Sequence, residues 1–169
     1  FRVDSSLANL GEKAPRQYRG ADVQIKLDHD WGSTELRGEY WWGKQTSTAT
    51  ATETPGLLLN APYYIRNFDG AFFYFLQNII NKQHEVGIKY DWYDRNTDVK
   101  GNEIGAPGSN IEAANIKYRT WSFGYNYYIN DNLKLFLWYD RVINENTAID
   151  DFSEDVADDV FTCRLQFRF

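Results

Sequence analysis

Along residues 159–169 every second side chain is apolar. Phe161, Cys163, Leu165, Phe167 and Phe169 share one parity, and Val160, Thr162, Arg164, Gln166 and Arg168 share the other, which is mostly polar. A strand sends alternate side chains to opposite faces, so the stretch predicts a two-faced strand with an aromatic end. Five more stretches alternate in the same way. Residues 21–29 set Ala21, Val23, Ile25 and Leu27 against Asp22, Gln24, Lys26 and Asp28. Residues 34–45 set Leu36, Gly38, Tyr40 and Trp42 against Glu35, Arg37, Glu39 and Trp41. Residues 84–95 set Val86, Ile88, Tyr90 and Trp92 against Glu85, Gly87, Lys89 and Asp91. Residues 116–129 set Trp121, Phe123, Tyr125 and Tyr127 against Thr120, Ser122, Gly124 and Asn126. Residues 133–144 set Leu133, Leu135, Leu137 and Tyr139 against Lys134, Phe136, Trp138 and Asp140. A seventh strand, residues 69–79, is apolar on both parities, so the pattern leaves its facing open. Pairing it across the turn at residues 80–83 sets Phe73 and Phe75 opposite Tyr90 and Ile88.

The connections alternate in length. Residues 30–33, 80–83 and 130–132 make short turns, and residues 46–67, 96–115 and 145–158 make long ones. The Ser/Thr/Ala tract in residues 46–67 reads as a mobile loop. Membrane barrels keep short turns on the periplasmic side and long loops outside. The expected fold is therefore all-β, an antiparallel up-and-down transmembrane barrel whose long loops face the cell surface. Tyr125, Tyr127, Phe167 and Phe169 then fall at the inner interface, and Trp42, Tyr90, Trp92, Tyr139 and Phe161 at the outer one. Phe169, with Phe167 and Leu165, reads as a C-terminal insertion signal. Residues 1–19, broken by Gly11 and Pro15, read as an outer loop. Seven strands cannot close a single-chain bacterial barrel, which has an even number. The chain opens at Phe1 without Met, so either a leader was removed or the chain is part of a longer one, and the strand count favours the second. Residues 1–169 are thus expected to be the C-terminal part of one barrel domain, with its missing strands upstream.

Composition supports the membrane reading. Aromatic residues make up 17% of the chain, and Tyr and Trp are what membrane interfaces collect. The mean hydropathy is nevertheless negative and no apolar run approaches the length of a membrane helix, so a helical span is excluded. The net charge of −6 argues against a nucleic-acid partner. A single cysteine excludes an internal disulfide framework or a multi-cysteine metal site.

No catalytic spacing, phosphate loop or metal-ligand cluster is present, so neither an enzyme nor a cofactor is expected. His29 and His84 fall on the apolar parity near short turns and read as interfacial, and Cys163 as a small apolar side chain. Asp94, Asp98 and Glu103 resemble a calcium loop, but Val99 and Gly105 stand where its Gly and Glu belong. The acidic run at residues 150–159 reads as solvated surface. The candidate pore-lining residues are Lys26, Arg37, Glu39, Lys89, Asp91, Lys134, Asp140, Arg164 and Arg168. Six basic positions (Lys26, Arg37, Lys89, Lys134, Arg164, Arg168) face six acidic ones (Asp22, Asp28, Glu35, Glu39, Asp91, Asp140), which predicts compensated charge in a non-selective water channel. Gly43, Gly87, Ser122, Gly124 and Thr162 are read as leaving space, and Trp41, Phe136 and Trp138 as filling it.

Three segments carry a family resemblance: residues 84–94, residues 123–135 and the run Arg164-Leu165-Gln166-Phe167-Arg168-Phe169. Together they resemble the C-terminal part of the phosphate-selective porin O and P family, in the version found in Bacteroidota. The resemblance covers roughly residues 20–169. It implies a barrel of about sixteen strands, trimeric, conducting small hydrophilic solutes and anions such as phosphate. It also implies an outer-membrane location, with the bilayer, lipopolysaccharide and the barrel-assembly machinery as partners. The reading from another class is a non-conducting structural or accessory barrel in a larger assembly.

Overall fold

The computed structural model describes residues 2–4, 14–53 and 62–168, with only the backbone described for 2–4. Its strands are β1 (Arg2–Asp4), β2 (Gln17–His29), β3 (Gly32–Ser47), β4 (Tyr63–Ile79), β5 (His84–Asp94), β6 (Tyr118–Asn130), β7 (Leu133–Asn144) and β8 (Val160–Phe167). From β2 to β8 each strand pairs antiparallel with the next, in chain order, to form one up-and-down sheet. β1 lies off this path and pairs with β4. The sheet is open, because β2 and β8 do not pair with each other. Among the described residues the only helical pieces are short 3-10 turns, at Gly101–Glu103, Ala113–Asn115 and Asp150–Phe152.

All seven expected strands are present, with two corrections. β4 begins at Tyr63, within the stretch read as a mobile loop, and β3 runs on to Ser47. Tyr64, Ile65 and Arg66 pair there with Ser47, Thr46 and Gln45. The polar composition of residues 46–67 hid a ladder closed by backbone groups. Residues 17–19, read as loop, open β2, and Arg2–Asp4 pairs with Tyr63, Tyr64 and Ile65. The rest of that expected loop, residues 5–13, and Phe169 lie outside the described residues.

Register aligns the faces across the whole sheet. One row runs Ile25, Leu36, Phe75, Ile88, Phe123, Tyr139 and Phe161, one residue from each of β2 to β8. Every member of that row is exposed, Phe123 at 52% and Phe161 at 67%. Pairing settles β4: Phe73 and Phe75 join this apolar face, and Phe72 and Tyr74 take the polar one. The buried core lies elsewhere. Phe68, Ala71, Ile104 and Ile116 are buried at the end of the sheet that carries the long connections. Burial of a large apolar side chain contributes about 1.5–3 kcal/mol. The row from Ile25 to Phe161 does not gain this full burial within the described residues, and it forms one continuous exposed apolar line.

The other face is polar and is filled differently from expectation. Gly87 and Gly124 do not leave space. The indole of Trp138 lies across both, and a Cβ at Gly87 would come within 2.9 Å of the indole carbons. At Gly124 the clash would be closer still. Gly43 likewise sits hard against the Gln17 backbone. Gly124→Val is expected to overpack this wall and destabilise the sheet by about 1–3 kcal/mol. In a double-mutant cycle read by urea unfolding, Trp138→Ala should absorb most of that loss. Strictly additive losses would show that the glycine does not make room for the indole.

Candidate functional site

The polar face carries all nine residues predicted to line a pore. They divide by strand. On β2, β3 and β5, ion pairs form between residues two apart on one strand. Arg37 meets Glu35 at 2.6 Å, Lys89 meets Asp91 at 2.7 Å, and Lys26 lies 3.6 Å from Asp28. Gln24 donates to Glu35 as well, and the Ser122 hydroxyl donates to Asp140. These pairs arise because a strand returns to the same face every second residue, so charges at i and i+2 become neighbours.

On β7 and β8 the cations rest on rings instead. The Arg164 guanidinium sits 4.9 Å from the Phe136 ring centre and the Lys134 ammonium 5.5 Å from that of Tyr128. Lys134 and Arg168 share a pocket of about 200 Å³ with Tyr128, Asn130, Asp131 and Asn132. Arg168 is anchored by its own amide, which donates to the Asn132 carbonyl. Toward the long connections Glu39 faces Asp22 directly across the β2–β3 pair, and neither carboxylate joins an ion pair among the described residues. The structure therefore brings Lys134 and Arg168 together and groups Arg164 with aromatic rings. It leaves Lys26, Arg37 and Lys89 neutralised, Asp91 neutralised with them, and Asp140 held by a hydroxyl. Leu165 and Phe167 lie exposed on the apolar face, at 51% and 61%.

At the other end a residue absent from the sequence reading organises the long connections. Arg66 on β4 is fully buried. It donates to Asn115 Oδ1 at 2.7 Å, Ser47 Oγ at 2.5 Å and the Thr48 carbonyl at 2.9 Å, and its guanidinium lies 5.2 Å from the Tyr64 ring centre. No alternation pattern could have flagged it, because its partners come from two separate connections. The loops between β5 and β6 and between β7 and β8 are also tied together. Glu145 N donates to the Lys117 carbonyl at 3.0 Å, and Ala148 N to that of Ile104 at 2.9 Å. The carboxylates of the calcium-like stretch are spent separately. Asp94 bonds Lys117 at 3.3 Å, Asp98 accepts from Asn67 and Glu103 accepts from the Lys100 amide. In the acidic run, Asp155 and Asp159 are both held by Arg141.

A family model described as phosphate-selective porin O and P matches residues 4–169. No curated protein and no solved structure gave a match.

Glu145 provides a pH test of the loop packing. Burial raises its carboxyl above the usual glutamate range, with the nearby Asp94 charge adding to the rise and the Lys117 amide opposing it. A raised folded value means that its contribution is full below the unfolded value and is lost as pH rises through the folded one. Hydrogen exchange at Lys117, Glu145 and Ala148, corrected for intrinsic rates, should show protection falling as pH rises through that window. Glu145→Gln should flatten the profile, and a flat wild-type profile would refute this.

Proposed function

Because the chain belongs to the phosphate-selective porin O and P family, we propose that its sheet is part of an outer-membrane β-barrel for passive diffusion of small hydrophilic solutes, anions such as phosphate among them. The family is one of channels rather than enzymes. The observation that carries the reading is the row from Ile25 to Phe161, apolar in all seven strands yet exposed, with ion pairs on the opposite face. Lipid would cover the first face and a water-filled lumen the second. The outer edges of β2 and β8 have no strand partner among the described residues. Unpaired backbone is not tolerated in hydrocarbon, so further strands complete the barrel. About sixteen, the number the resemblance implies, leave a channel, whereas eight are just filled by side chains. The likeness to the Bacteroidota version rests on the sequence segments alone. A trimer, lipopolysaccharide around the outer belt, and assembly machinery that reads Leu165, Phe167 and Phe169 belong to the same proposal.

Selectivity in this reading comes from the uneven lining. Glu39 and Asp22 sit toward the outer mouth, and Lys134, Arg164 and Arg168 toward the periplasmic one. Three of the six cations and three of the six acids neutralise one another, which favours a general channel without a strong preference for either ion sign. The non-conducting alternative draws on Trp138, which fills the wall over Gly87 and Gly124.

Planar-bilayer recordings of the full-length protein separate these readings. Open conductance is expected, and Lys134→Glu with Arg164→Glu should shift permeability modestly toward cations. The shift should shrink at high salt, since charges are screened over about 8–10 Å at ordinary ionic strength. Saturable block by phosphate, abolished by Arg168→Glu, would establish a dedicated anion site in its place. A folded barrel without conductance would support the structural alternative. Orientation is checked separately, in a Cys163→Ser background. Cysteines replacing Asn102 or Ala157 should react with an impermeant maleimide on intact cells, and one replacing Asp131 should not. The reverse pattern would overturn the topology.

A further inference from the structure

The polar face carries a feature that its charges do not account for. Five large aromatic side chains descend it, one in each successive register row. Trp41 stands in the row of Gly70, Phe72 in that of Glu39 and Asp91, and Tyr74 in that of Arg37 and Lys89. Trp138 follows in the row of Gly87 and Gly124, and Phe136 in that of Asn126 and Arg164. Neighbouring rings touch along the whole descent: centroids are 6.4 Å apart for Trp41–Phe72, 5.5 Å for Phe72–Tyr74, 6.2 Å for Tyr74–Trp138 and 5.4 Å for Trp138–Phe136. The path crosses from β3 to β7, which is possible only because Gly87 and Gly124 let the indole of Trp138 bridge two strands.

We propose that this diagonal of rings is a carbohydrate-binding track, along which pyranose units of a sugar stack as they cross the channel. The inference rests on the porin reading and adds a substrate class to it. A pyranose has a flat face of C–H groups and a rim of hydroxyls that both donate and accept. Its site needs flat apolar surface edged by hydrogen-bonding groups of both kinds. Successive rings supply the two kinds in turn. Glu39 and Asp91, both acceptors, flank Phe72 in its row, and Arg37 and Lys89, both donors, flank Tyr74 in the next. A pocket of about 190 Å³ opens between Tyr74, Phe136 and Trp138, and its remaining walls are Lys89, Asp140 and Thr162. Acids and bases balance along the descent, and this suits a neutral polyhydroxylated solute better than an anion. Trp138 is 7% exposed and backs the track, while Trp41, Phe72, Tyr74 and Phe136 keep part of their surface open on a face that a lumen for ions alone would leave polar.

The test is block of ion current through the full-length protein by maltohexaose, a neutral linear sugar, with benzoate as a flat aromatic anion for comparison. Saturable block by the sugar at millimolar concentration is expected. Phe72→Leu and Tyr74→Leu keep apolar bulk but lose the flat ring. Each should raise the half-blocking concentration by about tenfold with open conductance retained. Heat-modifiable mobility in gels shows that the variants are folded. Open conductance without sugar block overturns the track and leaves the porin reading standing. Block by benzoate alone overturns the carbohydrate assignment, and equal block in the Leu variants overturns the role of the rings. Absence of conductance in a folded barrel overturns both readings.

Discussion

Backbone pairing from β2 to β8 holds one residue of every strand in each row, and a slip of one residue would exchange the two faces. All the chemistry described above depends on that ladder. It gathers Ile25, Leu36, Phe75, Ile88, Phe123, Tyr139 and Phe161 into a single apolar line, although they are spread over most of the chain. It also sets Ser122 beside Asp140 and brings Tyr74 and Trp138, sixty-four positions apart in sequence, into ring contact. The alternating short turns fix the register. His29 pairs with Gly32 and Asn130 with Leu133, each across two residues, and Ile79 pairs with His84 across four. A register shift between Tyr128 and Asn130 precedes the last of these turns in the chain.

Strands with one greasy and one wet face were legible in the sequence because period-two contrast is a local signal. Val86, Ile88 and Tyr90 against Glu85, Gly87 and Lys89 needed no neighbour to be read. β4 was not, since Phe72, Phe73, Tyr74 and Phe75 are all aromatic. Only the partners Ile88 and Tyr90 decide which of them face together. The segment from Tyr63 to Phe68 was hidden for another reason. It is a strand whose side chains are buried by long connections rather than sorted between two media.

The same limit applies to the lining. Parity placed all nine candidate residues on the polar face, but parity is blind to what each charge meets. The i and i+2 pairs Glu35–Arg37 and Lys89–Asp91 were within reach of sequence reasoning. The stacking of Arg164 on Phe136 and the sharing of one pocket by Lys134 and Arg168 depend on strand neighbours. Gly87 and Gly124 show the hazard most clearly. A missing side chain reads as room, and here that room is taken by Trp138 of β7, which lies next to Gly124 and reaches over it to Gly87 on β5.

The long connections differ in how much change each position can absorb. Gly101 and Gly105 are wedged against Asn146 and Ile149, so even one added carbon there collides with the opposite loop. Gly108, three residues further on, has nothing within 4 Å of where a side chain would begin. Gly108 has the space but keeps a φ of +78°, which penalises any added Cβ, so this tip accepts an insertion beside the glycine more readily than its replacement, while Gly101 and Gly105 stay constrained by their packing. The same tip is the natural place to graft a peptide into this fold.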